Sequence, residues 1–220
     1  MKLTKKVTRL TESAMMIALA TAISFICSLI PVPPFHFPFG GGITIAGMLP
    51  IILIAFFYGT KWGILTAFVY SFIQMMLGHS TVAALFLPFE EGGMQLYAAL
   101  IICLVDYVLA YTVLGLGGLF RHHPSRVKGI VLGCLVALGA RYICHIVSGA
   151  IFYGIWAEWF FELDGIYETM GKTILQNFHG NSLSLIYSTI YNGCYMIPEM
   201  IITPLVGMAI VRIPVISKKI

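Results

Sequence analysis

The sequence predicts an all-α membrane protein: a single integral domain, residues 1–220, folded as a bundle of six transmembrane helices with both termini cytoplasmic. Three observations carry that prediction. Hydrophobic residues make up 59% of the chain and charged residues 10%, with a mean hydropathy of +0.93; soluble domains are far more polar. The apolar residues gather into runs over approximately 10–30, 43–58, 62–78, 95–119, 127–157 and 182–211. The basic residues fall at the chain start and end and in every second connection.

At about 1.5 Å rise per residue, each run can cross or nearly cross a hydrocarbon core of about 30 Å. The second and third runs are short and are separated only by Gly59-Thr60-Lys61, so a hairpin that does not fully span is the alternative there. Lys2, Lys5, Lys6 and Arg9 precede the first run, Lys61 lies in the second connection, Arg121, Arg126 and Lys128 in the fourth, and Arg212, Lys218 and Lys219 close the chain. The other connections carry Glu90, Glu91, Glu158, Glu162, Asp164 and Glu168, with Lys172 as their one base. Basic connections mark the cytoplasmic side. The first run shows no convincing small-x-small cleavage site before Pro31, so the retained helix is favoured over a signal peptide.

The first outer connection, Pro31 to Gly42, holds four prolines and three phenylalanines. It is either an ordinary interfacial loop or a lid over an outward-opening pocket. The fifth, roughly 158–181, is long and acidic, follows Trp156 and includes Trp159, and has room for a short interfacial helix.

No GxxxxGK[ST] phosphate loop and no GxGxxG after a strand occurs, so any ATP hydrolysis that powers this protein belongs to another chain. Five scattered cysteines without a CxxC read as core thiols, and six histidines show no HExxH spacing. No catalytic or metal-ligating residues are assigned and no cofactor is expected.

Ionisable groups inside apolar spans cost free energy and need a partner or a ligand. Asp106, Arg141, His145 and Glu199 are the four. Asp106 falls near mid-span, His145 lies one turn outward of Arg141 on the same face, and Tyr187 and Asn192 occupy the outer half of the last span. These positions predict that Asp106, His145, Tyr187 and Asn192 converge on a pocket for a small, partly cationic, ring-containing solute. Tyr153 and Tyr70 are either pocket aromatics or core and belt residues. Arg141 is expected to pair with Glu199 or Asp106, and Glu199, following Pro198, to satisfy backbone groups freed by the proline. In the first helix Ala14, Ala18 and Ala22 form a ridge of small residues, suited to close packing within this bundle or to docking of a second membrane subunit.

Several blocks resemble the thiamine-binding S-components of energy-coupling factor (ECF) transporters. They are Gly-Gly-Ile-Thr-Ile-Ala-Gly-Met-Leu-Pro-Ile (41–51), Tyr-Gly-Thr-Lys-Trp-Gly (58–63), Arg-Tyr-x-x-His-x-x-Ser-Gly-x-x-Phe-Tyr (141–153) and Tyr-Ser-x-x-Tyr-Asn-Gly-x-Tyr-Met-x-Pro-Glu (187–199). The resemblance implies a six-helix subunit of the cell membrane that captures thiamine outside and topples in the bilayer to release it inside. It further implies partners: a transmembrane coupling subunit, docked through Ala14 and Ala18, and two ATPase subunits, with the lipid bilayer around them and no nucleic acid. His145, Tyr187 and Asn192 match the family's pocket positions. Asp106 stands where the family usually has Glu, Tyr153 where it usually has Trp, and Tyr70 aligns with another pocket Trp. The 158–181 connection is longer than usual.

Thiamine also fits the residues on chemical grounds. A carboxylate stabilises the thiazolium cation, tyrosine faces take flat rings, and Asn192, Tyr187 and His145 can pair with an aminopyrimidine edge. Two alternatives stay open: an S-component for another vitamin or a thiamine precursor, and a self-sufficient carrier coupled to protons through Asp106, His145 and Glu199. A membrane enzyme is disfavoured because no nucleophile or metal constellation stands out.

Overall fold

The computed structural model describes residues 2–37, 40–88 and 93–217, and every regular element among them is helical. Glu90 and Glu91 among the acids expected outside, Lys218 and Lys219 among the bases expected inside, and Pro38 and Phe39 of the connection after the first apolar run lie outside the described residues. The helices are α1 (Lys2–Ser28), α2 (Leu49–Tyr58), α3 (Thr60–Leu77), α4 (His79–Leu85), α5 (Leu96–Gly118), α6 (Arg126–Phe152), α7 (Ala157–Glu162), α8 (Lys172–Asn177), α9 (Gly180–Val211) and α10 (Pro214–Ser217). Four of them, within α1 and along α5, α6 and α9, are long and apolar enough to cross a membrane. A fifth crossing exists if α3 and α4, which meet at 78°, form one broken span.

The apolar run at 43–58 becomes a helix only from Leu49. Ile45 and Ala46 have φ of 48° and 62°, outside the helical region, and Pro50 sits where proline opens a helix well. Ten residues rise only about 15 Å. Every residue from Leu49 to Phe57 is buried, so α2 is a core helix enclosed by its neighbours.

Glu199 holds the irregular segment before α2. Its carboxylate accepts from the Thr44 and Ala46 backbone N–H groups, the latter at 3.3 Å, and from the Thr44 and Thr203 hydroxyls, each at 2.9 Å. This corrects the expectation that Glu199 serves the backbone around Pro198. The groups in need are those of an unwound segment on another part of the chain, which helix formation cannot satisfy.

The basic connections gather at one end of the bundle. Trp62 Nε1 donates to Ser13 Oγ at 2.9 Å, Arg9 lies 3.8 Å over the Trp62 ring, and Tyr58 donates to Glu12. Gly59 turns α2 into α3 at φ 93°, and a Cβ there would sit 2.7 Å from Arg121 Nη1. At the opposite end, the 153–179 connection carries α7 and α8, and Phe160 and Phe161 of α7 are buried against the bundle. Large apolar side chains such as Met15, Leu104, Ile143, Ile151 and Ile201 point outward, as a lipid-facing surface requires. Among the cysteines Cys27 and Cys134 are core thiols, but Cys194 is exposed on α9.

Candidate functional site

A cavity of about 110 Å³ lies between α5, α6 and α9 and is bordered by Gly40 and Gly41. Asp106, His145, Tyr153, Tyr187 and Asn192 line it. Five of the six residues singled out from the sequence are therefore brought together.

The sixth, Tyr70, is not. It is fully buried, with its hydroxyl 3.2 Å from Ser24 Oγ and accepting from Gln74 Nε2. Its ring meets Tyr111 edge-on at 5.6 Å. Tyr111 lines the cavity and Tyr70 stands behind it.

Asp106 sits in a π-helical stretch of α5, Cys103–Leu109. The wider turn interrupts the α-helical ladder and re-aims the carboxylate, a distortion common at functional sites. Asp106 Oδ1 lies 3.0 Å from His145 Nδ1, and Oδ2 accepts from Ser148 Oγ at 3.0 Å. The other ring nitrogen of His145, Nε2, accepts from Arg141 Nε at 3.1 Å. A guanidinium can only donate, so Nε2 carries the lone pair and Nδ1 the proton, which it donates to Asp106.

This geometry corrects the expected partner of Arg141. It pairs directly with neither Glu199 nor Asp106. Glu199 is saturated by the 44–46 segment and Thr203, and Asp106 is reached through the imidazole. Arg141 Nη1 points at Met48 Sδ, 2.7 Å away, and its guanidinium lies 3.9 Å over the Tyr111 ring.

The last helix supplies the opposite wall. Asn192 Nδ2 donates to Ser188 O at 2.9 Å and to His145 O at 3.3 Å, and its Oδ1 accepts from Tyr195. These bonds fix the amide orientation. Tyr187 and Tyr191 stack in a tilted pair at 5.7 Å, backed by Phe160 of α7 at 5.3 and 5.9 Å. The connection between α1 and α2 closes this wall. Phe37 packs on Tyr191 and Tyr195 at 5.8 and 6.0 Å, and Tyr191 donates to Gly40 O at 3.2 Å. Gly41 at φ 83° passes so near Tyr195 that a Cβ would come within 2.5 Å of the ring. Gly40 and Gly41 of that connection border the cavity.

A model of the family described as thiamine transporter protein matches residues 10–159. The chain belongs to this family. It is 28% identical over 216 residues to the thiamine transporter ThiT of Bacillus subtilis (strain 168), an alignment spanning 94% of this chain and 91% of that protein. A solved structure of ThiT from Listeria monocytogenes matches its fold with a TM-score of 0.62 at 20% identity, covering 98% of each chain. The family is one of transporters, not enzymes, and with several apolar helices the chain is a multi-pass membrane protein.

Ser148, Tyr111, Tyr191 and Tyr195 contribute to the site but were not singled out from the sequence. Tyr191 and Tyr195 follow Tyr187 at i+4 and i+8, a one-face spacing that would have found them. Ser148 is one turn from His145 on the same face. Elsewhere, Ala14, Ala18 and Ala22 are all exposed along α1, while Ser13, Ala20, Ser24 and Cys27 form its buried face. The small-residue ridge is thus not packed inside this bundle.

Proposed function

We propose that this chain is the thiamine-binding subunit of an ATP-driven, ECF-type vitamin importer, dependent on a separate transmembrane coupling subunit and two ATPase subunits. The observation that carries the proposal is the Asp106–His145 pair facing a tyrosine-lined cavity. A carboxylate held by Ser148 and His145 gives a thiazolium cation its counter-charge. The rings of Tyr187, Tyr191 and Tyr153 supply flat apolar surface. The oriented Asn192 amide, with Tyr195, offers donors and acceptors to an aminopyrimidine edge. Family membership and the names of the relatives support the choice of thiamine over another vitamin.

In this proposal the chain crosses the membrane six times, α2 and its unwound lead-in forming one short crossing, and both termini are cytoplasmic. The clustering of Arg9, Lys61 and Arg121 near one end supports that orientation. The exposed Ala14, Ala18 and Ala22 are the proposed contact for the coupling subunit, whose helix can approach closely over small residues.

Vesicle uptake tests the proposal. Thiamine uptake should require co-reconstitution with a coupling subunit and ATPases, with ATP supplied. Uptake by this chain alone under a proton gradient would support the self-sufficient carrier instead.

A further inference from the structure

Three residues of α9 hold one backbone segment. Tyr191, Tyr195 and Glu199 follow one another at four-residue spacing and share a face of the helix. The Tyr191 hydroxyl donates to Gly40 O at 3.2 Å, the Tyr195 ring packs on Gly41, and the Glu199 carboxylate accepts from the Thr44 and Ala46 N–H groups and the Thr44 hydroxyl. Tyr191 and Tyr195 line the cavity on the helix side, and Gly40 and Gly41 line it on the segment side. Glu199, fully buried one turn beyond Tyr195, is not among the described residues that line it.

The stretch before Thr44 is closed by its own bonds. Ile43 N–H donates to Pro34 O at 2.9 Å, Phe37 N–H to Gly41 O at 3.2 Å and Gly40 N–H to Phe37 O at 3.1 Å. Gly42 passes so near Phe35 that a Cβ would fall 2.0 Å from its carbonyl oxygen. A unit tied in this way has little freedom to deform, so its position follows from where its ends are held. The end toward α2 is held at 44–46, where Ile45 and Ala46 have φ of 48° and 62°. Residues other than glycine keep such angles only where their surroundings impose them. Here the imposing group is one carboxylate, which takes three donors of the segment at once.

We infer that Glu199 is a positioning residue for ligand binding. By pinning 44–46 it sets Gly40 and Gly41 against Tyr191 and Tyr195, and so completes the cavity wall without touching the ligand. Gly41 backs the Tyr195 ring, the Tyr195 hydroxyl donates to Asn192 Oδ1, and the Asn192 amide donates to His145 O. Slack at 44–46 draws Gly40 and Gly41 away from this chain of contacts. The fraction of protein with a complete wall then falls, and apparent affinity falls with it. This inference rests on the proposed thiamine-binding role and names a residue that serves that site from outside it.

The experiment is a chase. The purified full chain is loaded with labelled thiamine and diluted into excess unlabelled thiamine, and the dissociation rate is read beside the melting temperature. Glu199→Gln nearly keeps the shape and retains one acceptor oxygen. It should raise the dissociation rate at least about threefold, since affinity changes within one site fall mostly on that rate. Two further variants separate positioning from plain support. The Thr44 and Thr203 hydroxyls each donate to the same carboxylate at 2.9 Å, but only Thr44 belongs to the segment. Thr44→Val should raise the dissociation rate and Thr203→Val should not, although both lose one buried hydrogen bond and should lose similar stability. Equal dissociation rates in the two threonine variants would overturn the inference and leave Glu199 as a support of the bundle alone. A folded Glu199→Gln protein with the wild-type rate would also overturn it. Should Glu199→Gln fail to fold, the threonine pair decides the matter by itself. Folded wild-type protein that takes up no labelled thiamine would overturn the thiamine-binding role itself.

Discussion

Arg141 donates to Nε2 of His145 at 3.1 Å, and this contact decides which face of the imidazole meets Asp106. With Nε2 occupied, the single ring proton is on Nδ1 and points at the carboxylate 3.0 Å away. The arginine four residues earlier on α6 thereby orients a side chain it does not neutralise, and Asp106 stays an acceptor with oxygens fixed by His145 and Ser148.

Asp106→Asn should weaken binding of thiamine more than binding of a neutral analogue lacking the thiazolium charge. The substitution nearly preserves shape and removes the charge. A charge-assisted contact is worth about 1.5–3 kcal/mol, or roughly one to two decades in affinity. Competition binding with both ligands measures the difference, and equal losses would assign Asp106 to holding His145 alone.

Tyr70→Phe should leave thiamine affinity within about twofold and lower stability by about 1 kcal/mol, the usual cost of one buried hydrogen-bonding group. Its hydroxyl ties α3 to α1 through Ser24 and accepts from Gln74, away from the cavity. Thermal unfolding in detergent alongside a binding isotherm separates the two effects. A tenfold loss of affinity at unchanged stability would place Tyr70 in contact with ligand.

Much of the site was legible in the sequence because α6 and α9 are regular helices. On them His145 and Arg141, or Tyr187, Tyr191 and Tyr195, repeat at four-residue spacing and must share a face. Helix α5 broke that rule. Its π-helical stretch changes the angular step, so Ile102, Asp106 and Tyr111 line one cavity at spacings of four and five. A fixed 3.6-residue period would set Tyr111 on the opposite side of the helix from Ile102. The start of α2 was illegible for a related reason. Ile43 to Met48 is as apolar as a helix, and only the backbone of Ile45 and Ala46, in a segment that Glu199 holds at the Thr44 and Ala46 N–H groups, shows that it is unwound. The partner of Arg141 was misjudged because pairing charges by sequence ignores a neutral histidine, a methionine and a tyrosine ring as neighbours.

Glu199→Ala should destabilise the protein by about 2–4 kcal/mol, since it strands the Thr44 and Ala46 N–H groups in the core. Glu199→Gln, which keeps one acceptor oxygen, should cost less. Chemical denaturation of the two variants tests this, and equal stability of Glu199→Ala and wild type would mean the 44–46 segment finds other acceptors.

Ala14→Trp or Ala18→Trp should spare thiamine binding and abolish uptake in cells that supply the coupling subunit and ATPases. Both alanines face outward near the basic end of the bundle, and an indole there would hold a partner helix away. Uptake at wild-type rate in both variants would remove the ridge from coupling. Loss of thiamine binding would show that α1 is disturbed as a whole.

The most direct test of the central claim is calorimetric titration of thiamine into the purified single chain, with no ATP and no ion gradient. Tight, saturable binding at one site per chain is the predicted result, because Asp106, His145, Asn192 and the tyrosine wall all belong to this polypeptide. Folded protein that shows no thiamine binding, while binding another vitamin such as riboflavin or biotin, would contradict it.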